Sequence, residues 1–316
     1  MWQDGQWIDV IIDDYLPTRH GKLIYTKSAL ENVFWSSLLE KACAKHHGSY
    51  DSLHGGSSCE AMVDFSGGCT EMKKLGTDEQ EWDEIYNFMN KCCERCTMIA
   101  CHVDPDPDIS QSAADLGLIQ GHAYSVTKAV TIKRPNEQEI RLVRVRNPWG
   151  NEVKWMGQWS DGSEEWKVIA DDDKEKLGLN YENDGEFYMS HRDFMKHFEM
   201  IEMTHLAPDY IDDQIEHENL QWNLQCFHGS WIQRKNAGGC RNHLETFTKN
   251  PQYVVCYREC DSAQDDSCVC IISLLQKGTR RKRSQNLIDD VEDKAVNFLT
   301  IGESYPSYSH KLPYTF

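Results

Sequence analysis

The sequence predicts a mixed α+β core followed by an all-β sandwich, and three observations carry that prediction. Apolar residues recur at helical spacing in two early stretches. A two-stranded hairpin occupies the middle of the chain, and short apolar runs broken by polar turns take over after Pro208. A chain of 316 residues is long enough for two or three domains with cores of their own.

Composition narrows the class. No run of eighteen apolar residues exists, and Met1-Trp2-Gln3-Asp4-Gly5 has neither the basic flank nor the apolar stretch of a signal peptide. A soluble, cytoplasmic protein with no transmembrane segment is therefore expected. Thirteen cysteines stay well below the density of a disulfide scaffold and read as cytosolic thiols. A net charge of −18 excludes general nucleic-acid binding, which needs a basic face against phosphate.

Trp7, Ile8, Val10, Ile11 and Ile12 form an extended apolar segment, and Leu16-Pro17 turns the chain toward a strand at 22–26, predicting a hairpin. Ser28 and Glu31 make a capping box for a helix that carries Leu30, Phe34, Leu38 and Ala42 on one face and stops at Gly48. A second helix, 79–95, carries Trp82, Ile85, Tyr86 and Met89 on one face. Cys92, Cys93, Cys96, Cys101 and His102 lack a second ligand pair at finger spacing, so they read as thiols and not as a zinc site. Residues 97–101 predict a strand, and 104–115 a polar loop.

Residues 118–130 and 140–145 read as the two strands of the central hairpin, with Pro135-Asn136 as its turn. This brings His122, near the start of one strand, beside Asn147, at the end of the other. In thiol proteases an imidazole takes the proton of a cysteine, while an amide oxygen accepts from the other ring nitrogen and fixes the tautomer. The pair alone reads more readily as a satisfied structural histidine with its partner. The setting Asn147-Pro148-Trp149-Gly150 favours the catalytic use, because the proline ends the ladder and the indole can screen the His–Asn bond from water.

After Pro208, strands are expected at 222–226, 252–258, 269–276 and 296–301, the pattern of a β-sandwich. Between two of them lie Lys277, Arg280, Arg281, Lys282 and Arg283, opposite Asp261, Asp265 and Asp266. That basic run is either a solvated loop or a contact for anionic phospholipid or an acidic loop. No EF-hand loop is present in the sequence.

Gly121-His122-Ala123-Tyr124, Asn147-Pro148-Trp149-Gly150, Gly157-Gln158-Trp159-Ser160-Asp161, Asp184-Gly185-Glu186-Phe187, Arg192-Asp193-Phe194 and Asp64-Phe65-Ser66-Gly67-Gly68 together resemble the calpains, calcium-dependent intracellular cysteine proteases. The resemblance implies a papain-like protease core with a partial nucleophile-side lobe at 1–94 and a complete His/Asn lobe at 95–208. A calpain-type β-sandwich, C-terminally incomplete, follows at 209–316. It implies peptide-bond hydrolysis of protein substrates, with His122 as general base and later acid, Asn147 as its orienter and Trp149 as shield. The family's Gly-Asp-Cys-Trp nucleophile and oxyanion-hole glutamine lie upstream of the matching stretch, and none of the thirteen cysteines here follows Gly-Asp or precedes Trp. Cys69 comes nearest and does not fit. No nucleophile is therefore assigned in this chain, and the isolated chain is expected to be inactive. The rival reading is a non-proteolytic, calpain-derived binding or regulatory protein acting through its β-sandwich.

By the same resemblance Asp161, Asp184 and Glu186, with a carbonyl near Glu182, are calcium ligands; without it they read as a solvated acidic turn. Lys154 stands where a ligand glutamate is expected, and Val63 replaces the corresponding glutamate of the first lobe. Weak calcium binding follows, with the Lys154 ammonium repelling the ion and swinging out into solvent.

Overall fold

Six antiparallel strands build the sheet on which the His122–Asn147 hairpin sits. The structure is a computed structural model that describes residues 1–28, 30, 32–94, 97–133, 139–150, 154–179, 181, 184–206, 227–255 and 312–315. These divide into two units, one holding the described residues up to 206 and the other those from 227 onward.

The first residues form two minimal hairpins. Strand β1 (Trp2–Gln3) pairs β2 (Gln6–Trp7), and β3 (Thr18–Arg19) pairs β4 (Lys22–Leu23). The expected pairing of 7–12 with 22–26 does not form. Asp4-Gly5 and His20-Gly21 all take positive φ, so each turn closes on its immediate neighbours at less entropic cost than a long loop.

Helix α1 (Trp35–His47) begins later than the capping box predicts. The Ser28 hydroxyl accepts from the backbone N–H of Leu30, a local turn that competes with capping. Thr26 ties the preceding segment to the helix through Glu40 and Ser37. The helix ends at Gly48, φ 111°, as its glycine suggests, with Lys45, His46 and His47 complementing the dipole in the last turn. It buries Ser37, Cys43 and Ala44, while Phe34, Trp35 and Leu39 remain exposed.

Helix α2 (Ser58–Ser66) leads into β5 (Cys69–Lys74), and α3 (Glu79–Glu94) follows. Strand β6 (Met98–His102) matches its expectation within one residue. Residues 107–115, expected as loop, form helix α4 (Pro107–Asp115). Asp106 caps it by accepting from Asp108 N–H, and Pro107 occupies the first helical turn, where its missing donor costs nothing.

The hairpin strands are β7 (Ala123–Lys133) and β8 (Glu139–Arg146), with a bulge between Val126 and Lys128. Helix α5 (Asp171–Leu177), strand β9 (Glu186–Ser190), helix α6 (His191–His197) and strand β10 (Met200–His205) complete the unit. The sheet order is β5-β10-β6-β7-β8-β9. The expected lobe boundary at 94/95 therefore falls inside one assembly: β5 pairs β10 along its whole length, and α3 buries Trp82, Ile85, Tyr86 and Met89 in the same core as β6 to β10.

Strand parity divides that core. Val143, Val145, Phe187 and Met189 face the cluster containing α3 and α6 residues such as Met89 and Phe194. Their sequence neighbours Leu142 and Tyr188 face a second cluster with Trp159, Trp166, Ile169 and Leu177. Both faces of the sheet are covered, so the hairpin that carries the site is held from two sides.

In the second unit, β11 (Gln252–Val255) pairs β12 (Leu312–Thr315). Buried Asn250 braces a turn by accepting from Gly238 N–H and donating to Gly239 O, each at 2.8 Å. The other expected strands, the basic run at 277–283 and the facing acidic loop lie outside the described residues. Among the described residues no helix is long and apolar enough to cross a membrane.

Candidate active site

His122 precedes β7 and Asn147 follows β8, so pairing of the two strands brings them to the same end of the sheet. His122 Nε2 lies 3.0 Å from Asn147 Oδ1. The backbone N–H of Trp149 donates to the same oxygen at 3.1 Å. A backbone amide can only donate, so that atom is the amide oxygen, and the imidazole must present Nε2–H to it. The lone pair of the neutral ring is thereby placed on Nδ1.

Each member of the pair is pinned. Val103 N–H donates to His122 O, and Gly121 N–H donates to Val103 O. Tyr124 stacks edge-on against the imidazole and accepts from Ile119 N–H through its hydroxyl. Burial pushes the Tyr124 phenol up to about 12, so it stays protonated and neutral at physiological pH. Asn147 is fully buried, and its N–H donates to Gly185 O at 2.9 Å. Gly185 has φ 83°, and a Cβ there would meet Asn147 O at 2.5 Å. Only glycine permits this approach.

Trp149 lies tilted across His122 with ring centroids 4.3 Å apart, and 62% of it remains exposed. The other indoles of this region pack: Trp155, Trp159 and Trp166 are buried. Trp159 takes φ 65°, a conformation that costs a bulky residue on the order of 1–3 kcal/mol and persists where packing enforces it.

Among the described residues no cysteine thiol hydrogen-bonds to His122. Burial pushes Cys93 up to about 11 and Cys101 well above the ordinary thiol range, which disfavours the thiolate at both. Within the Cys-rich stretch Cys96 lies outside the described residues, and no disulfide or metal-ligating group forms there among the described ones.

The acidic loops show what the sequence reading missed. The Lys154 side chain is 11% exposed, 2.8 Å from Asp161 Oδ2 and 3.6 Å from Asp184 Oδ1. Glu186 is ion-paired with Arg144 of β8. Burial alone would raise the Asp184 carboxyl, but the Glu186 N–H and the Lys154 charge outweigh it and hold the group below the usual range. Glu182 lies outside the described residues. Arg144 could have been found from the strand alternation, which places arginines between core residues; Lys154's partners could not, because they come from separate loops.

The calcium implied by resemblance does not fit this donor set as it stands. A calcium ion takes six to eight oxygens, whereas Asp161 and Asp184 face an ammonium and Glu186 a guanidinium. Entry of the ion would require displacing both cations.

Comparison with known proteins agrees with this architecture. Residues 1–205 match the model of the calpain family cysteine proteases, and residues 227–304 match calpain large subunit, domain III. The chain is 46% identical to Calpain-B of Drosophila melanogaster over 90% of its own length and 31% of that protein's. It is 41% identical to Calpain clp-1 of Caenorhabditis elegans, covering 92% of this chain and 37% of the relative. With the Calpain-1 catalytic subunit of Sus scrofa the identity is 41%, over 90% of this chain and 39% of the relative. The chain thus spans about a third of the length of these relatives.

Proposed function

Because the chain belongs to the calpain family of cysteine proteases, we propose that it supplies the general-base half of a thiol-protease active site acting on peptide bonds of protein substrates. The observation that carries this reading is the His122 Nε2–H donated to an Asn147 oxygen that Trp149 N–H also engages. Nδ1 is left as the base.

In the proposed reaction Nδ1 takes the proton of a cysteine thiol, and the thiolate attacks the scissile carbonyl. The resulting imidazolium returns the proton to the departing amine, leaving a thioester. A water then attacks the thioester, with Nδ1 again as base, and the thiol is released. Asn147 holds the ring through both proton transfers, and Trp149 covers the His–Asn bond. The thiol must come from a Gly-Asp-Cys-Trp segment of the family type, which this sequence does not contain.

We extend the same reading to the rest of the molecule. The remainder of a nucleophile-side lobe precedes the sheet, to which β5 and α3 belong, and a β-sandwich occupies 209–316. The protein works in the cytoplasm, and its basic run at 277–283 contacts anionic phospholipid. Calcium, the regulator implied by the family, has at most a weak claim on Asp161, Asp184 and Glu186, because Lys154 and Arg144 already hold those carboxylates and would have to be displaced.

The test is hydrolysis of a fluorogenic peptide. The stretch 1–316 alone should show no turnover, whereas the same stretch completed with a Gly-Asp-Cys-Trp lobe from a relative should cleave and should lose activity on His122→Ala. Alkylator-sensitive turnover by 1–316 alone would place the nucleophile among its own thirteen cysteines. A completed chain that never cleaves would favour the non-proteolytic binding protein.

A further inference from the structure

We propose that Lys154 is a positioning residue for the His122–Asn147 pair, a tethered cation that locks the two arms of the site together without a bound metal. The proposal rests on the catalytic reading of that pair.

The backbone of Lys154 belongs to the histidine arm. Its carbonyl packs so closely on Gly117 that a Cβ there would lie 2.2 Å away, and Met156 N–H donates to Leu116 O at 2.9 Å. From Gly117 the chain runs directly to His122. The side chain of Lys154 reaches the asparagine arm. Its ammonium lies between Asp161 and Asp184, and Asp184 Oδ1 accepts from Glu186 N–H at 2.9 Å. The enclosed Gly185 carbonyl receives Asn147 N–H. One residue therefore grips both arms, with its backbone on one and its charge on the other.

The electrostatics require a cation at this point. Two carboxylates converge where neither is fully solvated, at 24% and 28% side-chain exposure. Without a counter-charge their repulsion would open the loops. A diffusible ion would meet that need at an entropic cost on each binding event, whereas Lys154 is covalently present. The turn that holds Asn147 is consequently formed in calcium and in chelator alike.

Hydrogen–deuterium exchange on the full chain tests this, because the amides of Asn147 and Trp149 report the two contacts directly. Lys154→Met should speed exchange in 147–150 about tenfold while leaving α3 unchanged, as expected for a local opening and not a global one. Lys154→Arg should restore protection, and calcium or chelator should leave the unsubstituted chain unaltered. Wild-type rates at 147–150 in Lys154→Met, or protection gained on adding calcium to the unsubstituted chain, would overturn the proposal. If Lys154→Met unfolds, Asp184→Asn replaces it, since the amide oxygen can still accept from Glu186 N–H. It should speed exchange at 147–150 by about threefold, and no change would count against Lys154. The ¹⁵N shifts of the His122 ring separate the two readings. A ring indifferent to Asn147→Ala defeats the catalytic pair itself. A ring that responds to Asn147→Ala but not to the loss of Lys154 defeats the clamp alone.

Discussion

Trp149 N–H and Asn147 Oδ1 lie 3.1 Å apart, and this contact decides which nitrogen of His122 is basic. Because that oxygen is a committed acceptor, the histidine cannot place its lone pair on Nε2 without setting two acceptors against each other. Asn147→Ala should release the constraint and allow both tautomers, visible in the ring ¹⁵N shifts. In a chain completed with its nucleophile, kcat should fall at least about 10-fold with KM little changed, out of the roughly 10²–10⁴-fold that a positioned general base contributes. An equal fall in kcat/KM arising wholly from KM would assign Asn147 to substrate binding instead.

Gly185→Ala should disturb the site more than Gly162→Ala. Both glycines have positive φ, 83° and 71°, but only at Gly185 would the new methyl group meet backbone, the Asn147 carbonyl at 2.5 Å. Gly162 has open space around it and should cost only the left-handed backbone penalty, about 1–2 kcal/mol. Gly185→Ala adds a clash that must push Asn147 away, for a further cost of about 1–3 kcal/mol. Urea unfolding of the two variants checks the order.

Acid should destabilise the first unit partly through His197. Its ring is buried beside Trp155, and burial, reinforced by the Lys196 charge, lowers its pKa. The unfolded chain takes up a proton below about pH 6.5 while folded His197 does not. Its contribution is therefore complete above that pH and is lost as pH falls toward the depressed folded value. His197→Gln should flatten the pH dependence of the melting temperature on the acid side of about pH 6.5. An unchanged slope would assign the acid sensitivity to other groups.

Limited proteolysis should cut first between residues 8 and 34. Ile11 and Tyr15 are more than four-fifths exposed and Leu30 is 70% exposed. The segment around Asp13 and Tyr15 is held by the ammonium of Lys41, surface contacts of little net worth. The rest of 1–94 should resist, because β5 and α3 are built into the main sheet and its core. Mass analysis of the earliest fragments decides, and a first cut within α3 would contradict this order of local stabilities.

Local order was legible wherever a residue's environment repeats with the backbone period. Trp82, Ile85, Tyr86 and Met89 announce α3 because one helix face meets one core. The alternation in β8 announces a strand, while the covering of both its faces shows only in the packing. Helix α4 carries its own signal in the sequence, because Asp106-Pro107 is a cap followed by a first-turn proline. The start of α1 could not be read in this way, because a Ser28 hydroxyl that can cap a helix can also close a turn, and the choice depends on what Thr26 and Glu40 do across the segment.

By itself the sequence determined the hairpin, and with it the meeting of His122 and Asn147, since antiparallel pairing of adjacent strands brings their outer ends together whatever else the chain does. Only the tertiary structure decided the fate of Lys154. A lysine beside three acidic residues can repel an ion, drift into water or become a counter-charge, and the outcome depends on how far apart the loops stand and how dry the space between them is. Here Asp161 and Asp184 come within reach of one ammonium, which is 11% exposed, and at that separation and burial the attraction outweighs the freedom of a four-carbon side chain.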